Sequence, residues 1–310
     1  MRIAYFGTIG KMTMLPLEAL AARHEIVAVV RPWPKRSPVR RAAGALARRI
    51  GLRERVPLEE WARARRLPCL TMSSGDDAEA VARLAAVAPD LICISTFRWI
   101  LSAKVLAIPP RGVINLHPSL LPRHRGPMPL FWIYHRNDHE SGVTVHRASE
   151  RADAGEILAQ DRFPLPRGFP VELLDAENAR RGAAILTDAV EAIADGSDEG
   201  RPQDEALATP APAIRPGTAR IDFETWNVER VWHFMAGLFP RYREPLKDDA
   251  GKPLAWFGVI GFEEHDRPAR PGSVSRDGEE WRLHCRGGDV RLDGGGPGYT
   301  PGNGRPRTRG

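Results

Sequence analysis

The sequence predicts an α/β protein: an open domain built on a parallel-rich sheet, followed by a small β-rich unit. Three observations predict it. Short, near-continuous apolar runs alternate with segments of helical spacing through the first half of the chain, as strands buried on both faces of a parallel sheet do. After residue 141 the runs become alternating and the rhythm changes. Beyond a stretch rich in proline, alanine and charge, short strand-like runs separated by turn residues take over.

Taken in order, "RIAYFG" is an apolar strand closed by glycine, "MLPLEALAARH" has helical spacing, and "EIVAVVR" is a β-branched strand. A long basic region follows, then "PLEEWARARR" as a helix, "PCLTM" as a strand and "DDAEAVARLAAVA" as an alanine-rich helix. "DLICIST" and "GVINLHP" are the next two strands, and "SGVTVHRA" and "EILAQDRFPL" two more. The long helix "VELLDAENARRGAAILTDAVEAIADG" ends the domain near Gly196. These signals divide the chain into an α/β domain over 1–198, a linker over 199–217, a β-rich domain over 218–293 and a disordered tail over 294–310. The β-rich part opens on a helix, "NVERVWHFMAGL", and continues through "LAWFGVIGFE", "GSVSRD", "WRLHCRGG" and "DVRLDGG".

Composition narrows the function classes. The chain has 310 residues, 42% hydrophobic and 27% charged, and no apolar run long enough for a membrane span. The N-terminus lacks the apolar region and cleavage site of a signal peptide. Cys69, Cys93 and Cys285 are too few and too scattered for a disulfide framework or a cysteine zinc site, which suits a reducing cytoplasm. The net charge of +6 is uneven: residues 31–55 carry nine basic side chains against the single acid Glu54. Such a segment attracts polyanions, or is simply a solvated helix face.

The turn "FGTIG" has Gly7 and Gly10 without the dinucleotide spacing, and Arg31 stands where an acid would hold a ribose, so a tight strand-to-helix turn is preferred over a nicotinamide site. His135 and His139, four apart in "HRNDH", have ligand spacing, but H-E-x-x-H is absent and no metal is expected. "INLHPSLLPRHRG" is more informative. In a strand, residues i and i+2 share a face, so Asn115 and His117 project together near the carboxyl end, where open α/β sheets bind ligands. Pro118 ends the strand. An amide beside an imidazole suits acyl transfer, one donating to a developing oxyanion and the other moving a proton; the alternative is a polar pair closing a strand. A carboxylate would orient the imidazole and stabilise its charged form. Asp153 is the candidate, with Asp138, Glu140 and Glu150 competing on sequence proximity.

"INLHPSLLPRHRG" together with "SGVTVHRASERADAGEIL" resembles the 10-formyltetrahydrofolate-dependent formyltransferase superfamily, whose signature joins N-x-H, SLLP and a basic-R-G segment to a G-V-T strand and a D-x-G loop. The resemblance implies a Rossmann-like formyltransferase domain with an OB-type appendage. It implies that His117 shuttles a proton between the acceptor amine and the folate nitrogen, that Asn115 stabilises the oxyanion, and that Asp153 raises the pKa of His117 and helps order a water. Folate, as the formyl donor, would lie against Trp99, Ile100 and Leu101, against Ser119, Leu120, Leu121 and Pro122, and against Ser149, Glu150, Arg151, Ala152 and Asp153.

The resemblance leaves the acceptor among several. "GVTVHRASERADAGEILAQ" is most similar to the domain that formylates a UDP-linked amino-arabinose, which makes a nucleotide-linked amino sugar the first expectation. Methionyl-tRNA is the alternative, favoured by the basic segment and opposed by a β-rich domain whose only lysines are Lys247 and Lys252. Hydrolysis of 10-formyltetrahydrofolate and other amines, such as hydroxyornithine, come lower. A non-catalytic folate- or RNA-binding relative would have no need of Asn115, His117 and Asp153. A homodimer is compatible with the resemblance, and no membrane partner is expected.

Overall fold

The computed structural model describes residues 1–33 and 57–295. Most of the basic segment 31–55 and nearly all of the tail 294–310 lie outside the described residues. The chain divides into two compact units. The first holds 1–132, 140–164 and 172–213; the second holds 133–139, 165–171 and the chain from Ile214 on.

In the first unit, strands β1 (Arg2–Gly7), β2 (Glu25–Pro32), β3 (Cys69–Met72), β4 (Leu91–Ser95), β5 (Val113–His117), β6 (Glu140–Arg147) and β7 (Ile157–Pro164) form one sheet in the order β3-β2-β1-β4-β5-β6-β7. The first five run parallel, and β6 and β7 are antiparallel to their neighbours. The connecting helices are α1 (Lys11–Ala21), α2 (Pro57–Ala64), α3 (Ala78–Ala86), the short α4 (Ala103–Leu106), α5 (Pro129–His135) and α6 (Val171–Asp195). Period-two alternation separates the two faces. Ile3, Tyr5, Leu91, Cys93, Ile114 and Leu116 join one core with residues of α1, α2 and α6. Ala4, Phe6, Ile92, Ile94 and Val113 join the other with Leu84 and Val105. Both faces are therefore covered, which is why these strands read as continuous apolar runs. Arg31, at the end of β2, is buried and ion-paired with Glu59 at 3.1 Å, which occupies it internally.

In the second unit, β8 (Gly258–Glu264), β9 (Val274–Asp277), β10 (Glu280–Cys285) and β11 (Gly288–Asp293) pair antiparallel in the order β8-β11-β10-β9. Helix α7 (Val228–Leu238) is started by Asn227, whose side chain accepts from Arg230 N at 3.0 Å. A cap of this kind stabilises a helix by about 1 kcal/mol. The buried side of α7 includes Val231, Phe234, Met235 and Leu238. Its His233 Nδ1 accepts from Gly168 N at 2.9 Å. Helix α5 ends at His135, and Asn137 adopts a left-handed φ of 62°, so His139 does not share a helix face with His135. Among the described residues no group of three His, Cys, Asp or Glu side chains is placed to hold a metal ion, and no helix is long and apolar enough to cross a membrane.

Candidate active site

Strand β5 sends Ile114 and Leu116 into one core, which leaves Asn115 and His117 on the opposite face. Its antiparallel register with β6 sets His117 against Thr144 and Asn115 against His146. The chain leaves β5 in a tight turn, with Ser119 N donating to His117 O at 2.9 Å. The SLLP segment that follows is fastened to β6 and β7. Thr144 Oγ1 donates to Ser119 O at 2.7 Å and accepts from Leu121 N at 3.2 Å and Gln160 Nε2 at 2.8 Å. Gln160 Nε2 also donates to Leu121 O at 3.0 Å.

Four side chains converge here. His117 is 5% exposed, with Nε2 facing the His124 carbonyl at 2.9 Å and Nδ1 3.6 Å from Asp153 Oδ1. Asp153 Oδ2 accepts from Gly126 N at 2.8 Å, while Oδ1 faces Asn115 Nδ2 at 3.4 Å. Asn115 Nδ2 also lies 3.0 Å from His146 Nε2. The carbonyl of Arg147, 2.8 Å from His146 Nδ1, requires that nitrogen to donate, which leaves Nε2 as the acceptor of the Asn115 amide. The same logic places the hydrogen of neutral His117 on Nε2, leaving the Nδ1 lone pair to receive a proton beside Asp153. At 3.6 Å that contact becomes a charge-assisted bond only when Nδ1 carries the proton.

Electrostatics follow from this burial. Burial drives the His117 pKa below its ordinary value, against the upward pull of the Asp153 carboxylate. The resemblance implies that Asp153 raises the pKa of His117; the carboxylate does act in that sense, but burial outweighs it. Burial pushes the Asp153 carboxyl up, yet the Gly126 N–H and the positive charge that His117 and His146 carry when protonated hold it well below the usual carboxylate range. The resting pair is therefore a carboxylate beside a neutral imidazole.

The loop carrying Asp153 is tightly fitted. Asp153 has a left-handed φ of 51°. At Gly155 a Cβ would lie 1.9 Å from Arg147 O, so only glycine lets the loop pass β6. Of the competing acids, Glu140 is ion-paired with Arg162 at 2.8 Å and Glu150 is exposed. The remaining sequence-identified positions surround the cluster unevenly. Leu101, Ser119, Leu120 and Leu121 are buried, Trp99 and Pro122 half-buried, and Ile100, Ser149, Glu150, Arg151 and Ala152 exposed. Trp99 Nε1 donates to Met72 O at 3.3 Å, and Ser149 Oγ to Arg151 O at 2.9 Å.

Sequence reasoning missed His146 as a member of the cluster. Its only signal is that it stands two residues from Thr144 on a strand, and the β5–β6 register is what brings it to Asn115. It also missed three hydroxyls: Thr8 and Thr96, just beyond β1 and β4 where the strand order reverses, and Thr13 in α1. Thr96 Oγ1 lies 2.8 Å from both Thr8 Oγ1 and Thr13 Oγ1. Thr96 holds a φ of 62°, a strained value for a β-branched residue.

Comparison with known proteins places these observations. The chain is 37% identical over 211 residues to the methionyl-tRNA formyltransferase of Roseiflexus sp. (strain RS-1), covering 67% of this chain and 62% of the relative. It is 34% identical over 241 residues to that of Moorella thermoacetica, covering 77% and 74%. The chain thus spans less than two thirds of the Roseiflexus relative's length. Among solved structures, the N-formyltransferase from Helicobacter canadensis, in complex with folinic acid and dTDP-3-aminofucose, matches 94% of this chain and 98% of its own, with a TM-score of 0.67 and 16% identity. HypX from Aquifex aeolicus matches 94% of this chain and 45% of its own, with a TM-score of 0.60 and 20% identity. At such identities the structures share the fold. The sequence profile of the formyl transferase family matches residues 2–199, which include every residue of the cluster, and the chain belongs to that family.

Proposed function

We propose that this protein transfers a formyl group from 10-formyltetrahydrofolate to a primary amine, and that the amine belongs to a nucleotide-linked amino sugar. The observation that carries the transfer is the convergence of Asn115 and His117 on Asp153: an amide donor at 3.4 Å and a neutral base at 3.6 Å from one oxygen of an ionised carboxylate. That set matches what formyl transfer needs. Folate supplies an activated formyl group on nitrogen. A neutral amine forms the new C–N bond as the bond to the folate nitrogen breaks, and His117 Nδ1 takes the proton the amine loses and returns it to the leaving nitrogen. Asp153 stabilises the imidazolium formed in between. Asn115 donates to the formyl oxygen as charge develops there. Both its amide hydrogens are engaged at rest, on His146 at 3.0 Å and Asp153 at 3.4 Å, and the longer contact is the one to be given up. Folate is assigned to the turn at 99–101, the segment 119–122 and the loop 149–153.

For the acceptor, the supporting observation is charge. Residues 214–293 carry thirteen Lys and Arg against fourteen Asp and Glu. A surface for a tRNA backbone would need a basic surplus, because phosphate neutralisation supplies most of that affinity. Methionyl-tRNA is the second reading, favoured by the relatives of that name at 34–37% identity. The test is a formyl-transfer assay with 10-formyltetrahydrofolate, offering initiator methionyl-tRNA and UDP- and dTDP-linked amino sugars side by side. Turnover with a sugar is expected. Turnover with the tRNA alone would replace the sugar reading, and folate consumed equally without any acceptor would make the protein a hydrolase.

A further inference from the structure

The stretch that follows α6 in the first unit runs back along the candidate site. Arg201 pairs with Ile157 through both backbone bonds, at 2.8 and 2.9 Å. His124 N donates to Thr209 Oγ1 at 2.9 Å, and Thr209 N to Pro122 O at 3.2 Å. Arg125 N donates to Thr209 O at 2.8 Å, and Ala211 N to Arg125 O at 2.6 Å. Gly126, whose N–H binds the Asp153 carboxylate, has a φ of 125°, and a Cβ there would lie 2.7 Å from Ala211 O. Within Arg201–Leu207, Gln203 is the one residue that is not exposed.

Gln203 closes a ring around Asp153. Its Nε2 donates to Asp153 O at 2.9 Å and to Gly155 O at 2.7 Å, so both hydrogens of the amide hold the loop on which Asp153 takes its left-handed conformation. Its Oε1 accepts from Arg125 Nε at 3.0 Å and Nη2 at 2.8 Å, which fixes the amide against rotation. Arg125 is followed by Gly126, and Gly126 N donates to Asp153 Oδ2 at 2.8 Å. The path from Arg125 through Gln203 to the Asp153 main chain, along its side chain and back through Gly126 is unbroken. Removing the amide would release the backbone that carries the carboxylate and take away one of several ties on the loop that receives it.

We propose that Gln203 is a positioning residue: it sets the Asp153 carboxylate against His117 Nδ1 without touching either reactant. The proposal rests on the formyl-transfer reading for its catalytic meaning, while the coupling from Gln203 to His117 can be measured apart from turnover. A displacement of an ångström at a reacting geometry costs up to about 100-fold in rate. Loss of Gln203 is therefore expected to lower kcat by about 10–100-fold with a smaller change in the KM for folate.

The experiment is an NMR titration of the His117 imidazole in the full chain, comparing wild type with Asp153→Asn, Gln203→Ala and Gln203→Met. Gln203→Met keeps the length and neutrality of the side chain and loses both donated hydrogens, so it tests the contact should the alanine variant fail to fold. Removing the Asp153 charge is expected to move the His117 titration to lower pH, and both Gln203 variants to move it the same way. If Asp153→Asn moves it and the folded Gln203 variants leave it at the wild-type position, Gln203 does not position Asp153 and the proposal falls while the transfer reading stands. Binding of 5-formyltetrahydrofolate to the wild-type chain, followed by calorimetry, separates the other failure. No binding there would remove the folate reading, whatever the histidine does.

Discussion

His117 is a base whose basicity burial suppresses and a neighbouring carboxylate partly restores. With the pKa below its ordinary value, the imidazole is neutral at neutral pH and can accept a proton. The proton it takes stays beside Asp153, which is already ionised. This division of labour makes the His117→Ala variant informative. On the proposed mechanism it removes a group used in the transition state and leaves the backbone proposed for folate untouched. Turnover should be abolished, with the affinity for 5-formyltetrahydrofolate nearly unchanged by calorimetry. A variant retaining more than about a tenth of wild-type kcat/KM, a loss below about 1.4 kcal/mol, would remove His117 from the proton path.

At the scale of elements, the site is a strand end held in place by two antiparallel neighbours. Thr144 carries much of this, because one buried hydroxyl on β6 serves Ser119 O, Leu121 N and Gln160 together. Thr144→Val keeps the shape and deletes the hydroxyl, which strands a buried donor and acceptor at about 1–3 kcal/mol each. A loss of about 2 kcal/mol or more in unfolding free energy is expected from urea melts, and an unchanged midpoint would mean that the segment is held by packing alone. The legibility of the sequence follows the same geometry. Strands such as "LICIS" and "VINLH" are readable because their apolar periodicity is local. The Asn115–His117 pair is readable because i and i+2 share a face. Asp153 lies beyond a strand and a loop, and spacing alone leaves it among four acids; the family resemblance singles it out. His146 depends on the β5–β6 register, and Gln203 on the return of a proline-rich stretch that composition marks only as a linker. No local period encodes either.

At the scale of the whole molecule, the buried histidines govern the response to acid. His117, His135 and His233 all have folded pKa values driven below the ordinary value by burial, His233 to about 3 with Arg167 adding to the effect. The unfolded chain therefore binds more protons than the native one once the pH falls below about 6.5. Their contribution to stability is complete above that pH and is lost as the pH drops. Asp153, held low, adds its own loss only below the unfolded carboxylate value near 4. Each proton withheld by the native state costs about 1.4 kcal/mol per pH unit. For His233 the loss accumulates to roughly 3–5 kcal/mol between its ordinary and its folded value. Acid sensitivity should thus begin in the histidine range rather than the carboxylate range. Urea midpoints at pH 7.5, 6.5, 5.5 and 4.5 are expected to hold steady over the first step and fall over the next two. His233→Asn keeps an acceptor at the position of Nδ1 for the Gly168 N–H and cannot be protonated, so it should flatten the fall without changing the curve above pH 7. Midpoints that stay level down to pH 5 would show that these histidines gain protons as readily in the native state as in the unfolded chain.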